Sequence, residues 1–198
     1  MKKFDITPLL PFYDRAQALC LDAYGRPEAV TPLGLLEELM DIPGLPMHCP
    51  PHHFILPAVL ITLAARATGM PRARFEEDLA EIRERAEDVP GGSCGFYGTC
   101  GAAVGVGLFF SVFTVTDPHS ETHWGNCNLV TGRALGSIGG ISGPRCCKRN
   151  SFLALESALA SLREILDLDL GSAGPILCKY HNDNPDCKGP KCPFFPKP

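Results

Sequence analysis

The sequence predicts an all-α fold, a compact bundle of about six or seven helices with an irregular Cys/Pro-rich C-terminal segment. Three observations lead there. Apolar residues recur at helical spacing along most of the chain. No strand-like alternation lasts long enough to propose a sheet, and the apolar segments are punctuated by Pro and Gly where helices begin and end. No internal repeat of roughly 20–50 residues is present.

In chain order, residues 14–24 and 32–42 read as two short amphipathic helices. Residues 54–67 are apolar on nearly all sides, with Pro57 in the first turn, and predict a buried helix. Residues 71–88 carry the clearest stripe, Phe75, Leu79, Ile82 and Ala86, and their charged opposite face reads as a solvated surface. Pro90, Gly91 and Gly92 end that helix. Residues 101–115 are apolar and rich in small residues, which favours a helix packed closely on a neighbour. Asp117-Pro118 would begin a further helix that puts His119 and His123 on one face, read as two exposed histidines. Residues 151–168 form the last helix, with Phe152, Leu155, Leu159, Leu162 and Leu166 inward and Asn150 or Ser151 as its cap. The expected division is a helical Cys/His-rich domain over residues 1–170 and a Cys/Pro-rich segment over 171–198, ordered by metal and packed on the same domain.

A chain of 198 residues has enough material for a core without covalent staples. Its 10 cysteines and 6 histidines therefore need another explanation. The net charge of −4 and the absence of excess Lys and Arg argue against nucleic acid as a partner. The N-terminal residues, interrupted by Asp5, Pro8 and Pro11, predict no signal peptide. The longest apolar stretch is about fifteen residues, shorter than a membrane span. A cytoplasmic protein with no membrane partner is expected, and in that reducing setting grouped cysteines are ligands or redox groups rather than disulfides.

Four clusters carry the chemistry. His48-Cys49-Pro50-Pro51-His52-His53 precedes the buried helix; imidazole with thiolate suits zinc, iron or copper, against the plainer reading that these residues flank a helix start. The glycine-rich run from Gly91 to Gly101 holds Cys94 and Cys100, the latter opening a helix whose dipole favours a thiolate. It lacks the lysine motif of a phosphate loop. Cys146 and Cys147 stand at another helix mouth among Arg145, Lys148 and Arg149; adjacent cysteines address two different partners, because a ring between them is strained. Cys178, His181, Cys187 and Cys192-Pro193 form the fourth cluster, whose spacing matches no zinc ribbon, although Cys-Pro recurs around iron–sulfur clusters. Cys20, between Leu19 and Leu21, reads as core packing, and Cys127 is unassigned. A papain-like thiol hydrolase is disfavoured by the chain order of its Cys and His.

The strings His48-Cys49-Pro50-Pro51-His52-His53, Gly91 to Ala103, Gly143-Pro144-Arg145-Cys146-Cys147-Lys148-Arg149, and Cys187 with Cys192-Pro193-Phe194 resemble an uncharacterised family of anaerobic bacteria and archaea. The likeness runs from about Leu39 to Pro196. It implies occurrence alone or joined to S-adenosylmethionine-dependent methyltransferase or radical-type domains, and it shifts weight from Cys49 to the three histidines. Cys100-Gly101-Ala102-Ala103-Val104-Gly105 with Cys146 and Cys147 is more weakly similar to small redox-active proteins with a cysteine motif.

The expectation is a metal or iron–sulfur protein for redox, sulfur-transfer or methyl-transfer-linked chemistry. Its metal ligands are drawn from His48, His52, His53, Cys94, Cys100, Cys146, Cys147, Cys178, Cys187 and Cys192, with Cys100 and Cys146 as the reacting thiols. The cofactor is an iron–sulfur cluster of the [4Fe-4S] type or Zn. Arg145, Lys148 and Arg149 would attract a small anionic substrate or cofactor. The alternative is a non-enzymatic, zinc-stabilised module that docks a methyltransferase or redox partner protein.

Overall fold

The computed structural model describes residues 5–197. Within them lie eight α-helices and no strand: α1 (Leu10–Gly25), α2 (Pro32–Met40), α3 (Pro51–Thr68), α4 (Arg72–Glu87), α5 (Ser93–Phe96), α6 (Gly101–Phe113), α7 (Trp124–Gly139) and α8 (Cys147–Leu166). The helix count exceeds the expectation by one or two because of the single-turn α5 and the glycine-rich α7. The glycine before α5, Gly92, has φ +83°, a conformation that disfavours any side chain.

The bundle is organised around α3. Every residue from Pro51 to Ala65 is buried, and α1, α2, α4, α6 and α8 all pack against it. That is what a helix apolar on all sides requires. Pro57 lies inside the helix rather than in its first turn, since α3 starts three residues earlier than its apolar run. Lacking an N–H, Pro57 leaves the carbonyl of His53 without its helical donor. α6 approaches at this point. A Cβ at Gly105 would stand 2.8 Å from Pro57 Cδ and 3.0 Å from the His53 carbonyl oxygen. One at Gly101 would stand 2.0 Å from the His53 ring. Both positions admit only glycine.

α4 buries the stripe Phe75, Leu79, Ile82 and Ala86 and pairs its charges along the outer face, as in Arg72–Glu76 and Arg83–Glu87. Cys20 is fully buried in the core. Two boundaries differ from expectation. His119 and His123 do not share a helix, because the Asp117 carboxylate accepts from the His119 N–H and from Ser120 Oγ, and this local turn competes with helical bonding. The helix begins at Trp124 instead. α8 begins at Cys147, so its cap is Cys146, whose sulfur accepts the Arg149 N–H at 3.4 Å, and neither Asn150 nor Ser151.

Among the described residues beyond α8 there is no helix except a 3-10 turn at Gly189–Lys191. Phe194 is buried edge-on against Phe152 of α8, with ring centroids 5.4 Å apart, and its carbonyl accepts the Cys178 N–H at 2.7 Å. Tyr180 Oη donates to Asp41 at 2.9 Å.

If the α3–α6 approach holds the bundle, Gly105→Ala lowers unfolding stability by about 1–3 kcal/mol through overpacking. Gly132→Ala, where a Cβ meets nothing within 4 Å, is neutral or slightly stabilising. Urea unfolding of the two variants measures the difference.

Candidate functional site

The N-termini of α3, α6 and α8 converge, and the cysteines come together there. The α8 amide of Cys147 donates to His48 Nδ1 at 3.4 Å, ahead of α3. Asn150 Nδ2, in the first turn of α8, donates to Cys100 Sγ at 3.4 Å, at the cap of α6. The Cys147 thiol lies within the electrostatic reach of Cys100 and Cys49. Three helix N-termini thus present positive dipole ends to one group of sulfurs.

Adjacent Cys146 and Cys147 face different ways. Cys147 belongs to this inner group with Cys49 and Cys100. Cys146 lines a cavity of about 20 Å³ together with Cys178, Cys187 and Cys192 of the tail, and with His181 and Asn184. Asn184, itself buried, reaches both sides: its Nδ2 donates to Cys146 Sγ at 3.5 Å, and its Oδ1 accepts from His48 Nε2 at 3.1 Å. Among the described residues, no three or more His, Cys, Asp or Glu are arranged to hold a metal ion as the side chains stand.

The three imidazoles separate by role. His48 links the α8 amide to Asn184 and is a connector. His53 donates from Nδ1 to the Val89 carbonyl at 3.3 Å and forms the floor under Gly101. His52 is 1 % exposed; its Nδ1 meets the Cys49 carbonyl at 3.1 Å and the Cys49 sulfur at 3.3 Å, while its Nε2 has no partner. Burial lowers the basicity of all three, His53 to about 4. Burial also pushes the Cys49 and Cys147 thiols up to about 12, and raises Cys146 and Cys178. For Cys49 and Cys146 this desolvation outweighs the opposing charges of Lys148 and Arg149.

The basic residues separate as well. Lys148 is 2 % exposed, donates to the Met40 carbonyl at 2.9 Å and sits 4.7 Å from the centre of the Tyr180 ring. Burial brings its ammonium down to about 8. Arg149 is 5 % exposed; one Nη donates to the Pro144 carbonyl at 2.9 Å, and its Nε has no partner. Neither cation pairs with a carboxylate among the described residues. Arg145 is exposed at the rim of a second pocket of about 320 Å³, which Cys94, Cys100, Arg149 and Asn150 also line. Asn150 and Asn184, the two carboxamides on sulfur, were not marked as site residues by sequence reasoning. Only their neighbours, Cys147 three residues before Asn150 and Cys187 three after Asn184, pointed there.

A family model matches residues 20–195, nearly the whole chain. The chain belongs to DUF5714, a family of unknown function. No curated protein and no solved structure matches it. Membership in DUF5714 fixes the relationship and leaves the activity to be argued from the site. No helix among the described residues is long and apolar enough to cross a membrane.

The buried imidazoles make stability depend on pH. A histidine whose folded basicity lies below its unfolded value of 6.5 binds a proton more readily when unfolded, so its stabilisation is present above pH 6.5 and is lost as pH falls from there toward 4. For His53 alone the loss between pH 7 and 5 is about 2 kcal/mol. Urea unfolding across that range shows this decline, and His53→Gln flattens it by close to one proton.

Proposed function

We propose that this is a metal–thiolate protein whose C-terminal segment is closed onto the helical bundle by a centre held by Cys146, Cys178, Cys187 and Cys192. The observation that carries this reading is the cavity these four thiols share. One of them caps α8, and the other three lie on a proline-rich segment with little core of its own. Structural thiolate sites do this work where apolar burial is insufficient.

Charge supports the reading. Lys148 and Arg149 are buried near these sulfurs without a carboxylate partner, a costly arrangement unless anions stand close by. The Cys146 sulfur already accepts the Arg149 amide, and four thiolates around a divalent ion carry net negative charge that the two cations would offset. A single tetrahedral ion would draw the four sulfurs to about 2.3 Å from it, since as they stand they are not arranged to hold one. Zinc and mononuclear iron meet that description. A [4Fe-4S] cluster on the same four thiols is the other reading. It would extend the function to electron transfer.

The inner thiols Cys49, Cys100 and Cys147, with Cys94 at the pocket beyond, form the reactive set in this proposal. Cys100 takes the leading role because it alone belongs to both the inner group and the open pocket. His52 Nε2 faces no protein donor, so its lone pair is available to a proton or an ion. Redox, sulfur-transfer or methyl-transfer-linked chemistry at these thiols is the activity class we assign. A methyltransferase or redox protein would be the partner.

Metal and acid-labile sulfide analysis of protein prepared without oxygen tests the assignment. The wild type carries about one equivalent of metal as a single ion or about four of iron as a cluster, Cys187→Ser and Cys146→Ser lose most of it, and Cys100→Ser keeps it. Stoichiometric sulfide with brown colour selects the cluster; zinc or iron without sulfide selects the single ion. Wild-type protein free of metal, or metal lost from Cys100→Ser alone, overturns the four-thiol assignment.

A further inference from the structure

The second pocket stands apart from the four-thiol cavity: of the residues lining the two, Arg149 alone is common to both. Its volume of about 320 Å³ lies at the small end of the range for ligand sites, about 300–1,000 Å³. The lining divides by chemistry. Leu135 and Ile138 of α7, with Ile141, form an apolar wall. Arg145 and Arg149 supply two guanidiniums, and no carboxylate lines the pocket. Cys100 and Cys94 supply thiols.

Two further features point to a ligand. Arg149 and Asn150 are each 5 % exposed, and each keeps one polar atom without a partner, Arg149 Nε and Asn150 Oδ1. Buried polar groups in folded proteins are normally satisfied, so two orphans on neighbouring residues that line one pocket are unusual; both atoms lie behind its accessible surface. Asn150 also directs its amide at Cys100 Sγ. The same side chain therefore holds the thiol in place.

We propose that this pocket binds a small organic carboxylate with an apolar carbon chain and presents it to Cys100 as the reacting thiol. The planar guanidinium fork matches a carboxylate in geometry as well as in charge. The chain lies on Leu135 and Ile138. Arg145 is the pocket's own cation, because Arg149 is shared with the four-thiol cavity. Lys148, buried against Tyr180 on the other side of α8's first turn, takes no part.

Iodoacetate and iodoacetamide provide the test, since they share one electrophilic carbon and differ in a carboxylate. With either, the Cys100 sulfur attacks the CH₂ carbon, the C–S bond forms as the C–I bond breaks, iodide leaves, and the thiol proton passes to solvent. Rates at each cysteine are read by mass spectrometry of peptides. The ratio of iodoacetate to iodoacetamide rates at Cys100 in the folded protein exceeds that in the urea-unfolded chain by about tenfold. Arg145→Gln, at an exposed position, reduces that excess several-fold, with the iodoacetamide rate at Cys100 of the same variant as the reference that cancels any change in thiol basicity. An equal ratio in folded and unfolded chains, an excess unaffected by Arg145→Gln, or a Cys100 that neither reagent reaches overturns the proposal. The readout needs no metal, so its failure is distinguishable from failure of the four-thiol assignment.

Discussion

The close approach of α6 to α3 is the constraint from which the site follows. Gly101 rests on the His53 ring and Gly105 on Pro57 and the His53 carbonyl, so two helix starts are pinned within one side chain of each other. α8 then enters the same corner, with Cys147 meeting His48 and Asn150 meeting Cys100. A larger residue at either glycine would push the α6 cap away from α3. Cys100 would move with it, and the inner thiol group would lose its geometry. Packing and chemistry therefore share the same few atoms.

Helix ends make this corner chemically unusual. Each N-terminus carries orphan N–H groups and a partial positive charge, and here three of them point at sulfur. Cys146 shows how the two demands are met together, since its sulfur serves as the helix cap and also lines the tail cavity. Against this, the interior is dry, which raises the thiols and depresses the imidazoles and Lys148. The balance between dipoles and desolvation is one that an anion-stabilising cation, metal or guanidinium, would tip toward thiolate.

The split of the adjacent cysteines gives the molecule two separate thiol regions. Cys146 looks toward the tail, where Phe194 and Tyr180 supply only modest apolar anchoring. Cys147 looks inward. Arg149 spans the four-thiol cavity and the open pocket, so charge in one region is felt in the other. Asn184 ties the tail to His48, which in turn touches the amide of Cys147. The tail thus has a short polar route to the inner thiols.

Much of this was legible in the sequence. The stripe of α4, the all-round apolarity of α3 and the inward face of α8 specified those helices, because burial on one face or on all faces leaves a direct periodic trace. α7 left almost none: four of its sixteen residues are glycine, and it is a helix because α6 and α8 flank it. The start of α8 was misplaced because capping by a cysteine sulfur leaves no motif, unlike capping by Ser or Asn. Composition isolated the cysteines and histidines as the residues of interest, and the adjacency of Cys146 and Cys147 led to the expectation that they address different partners. Tertiary structure alone decided which partners these were. It moved Cys146 to the tail, joined Cys147 to Cys49 and Cys100, withdrew Lys148 from the pocket, and brought in Asn150 and Asn184. Spacing along a chain constrains what one helix can present on one face. Which helix ends meet is settled by the packing of the whole core.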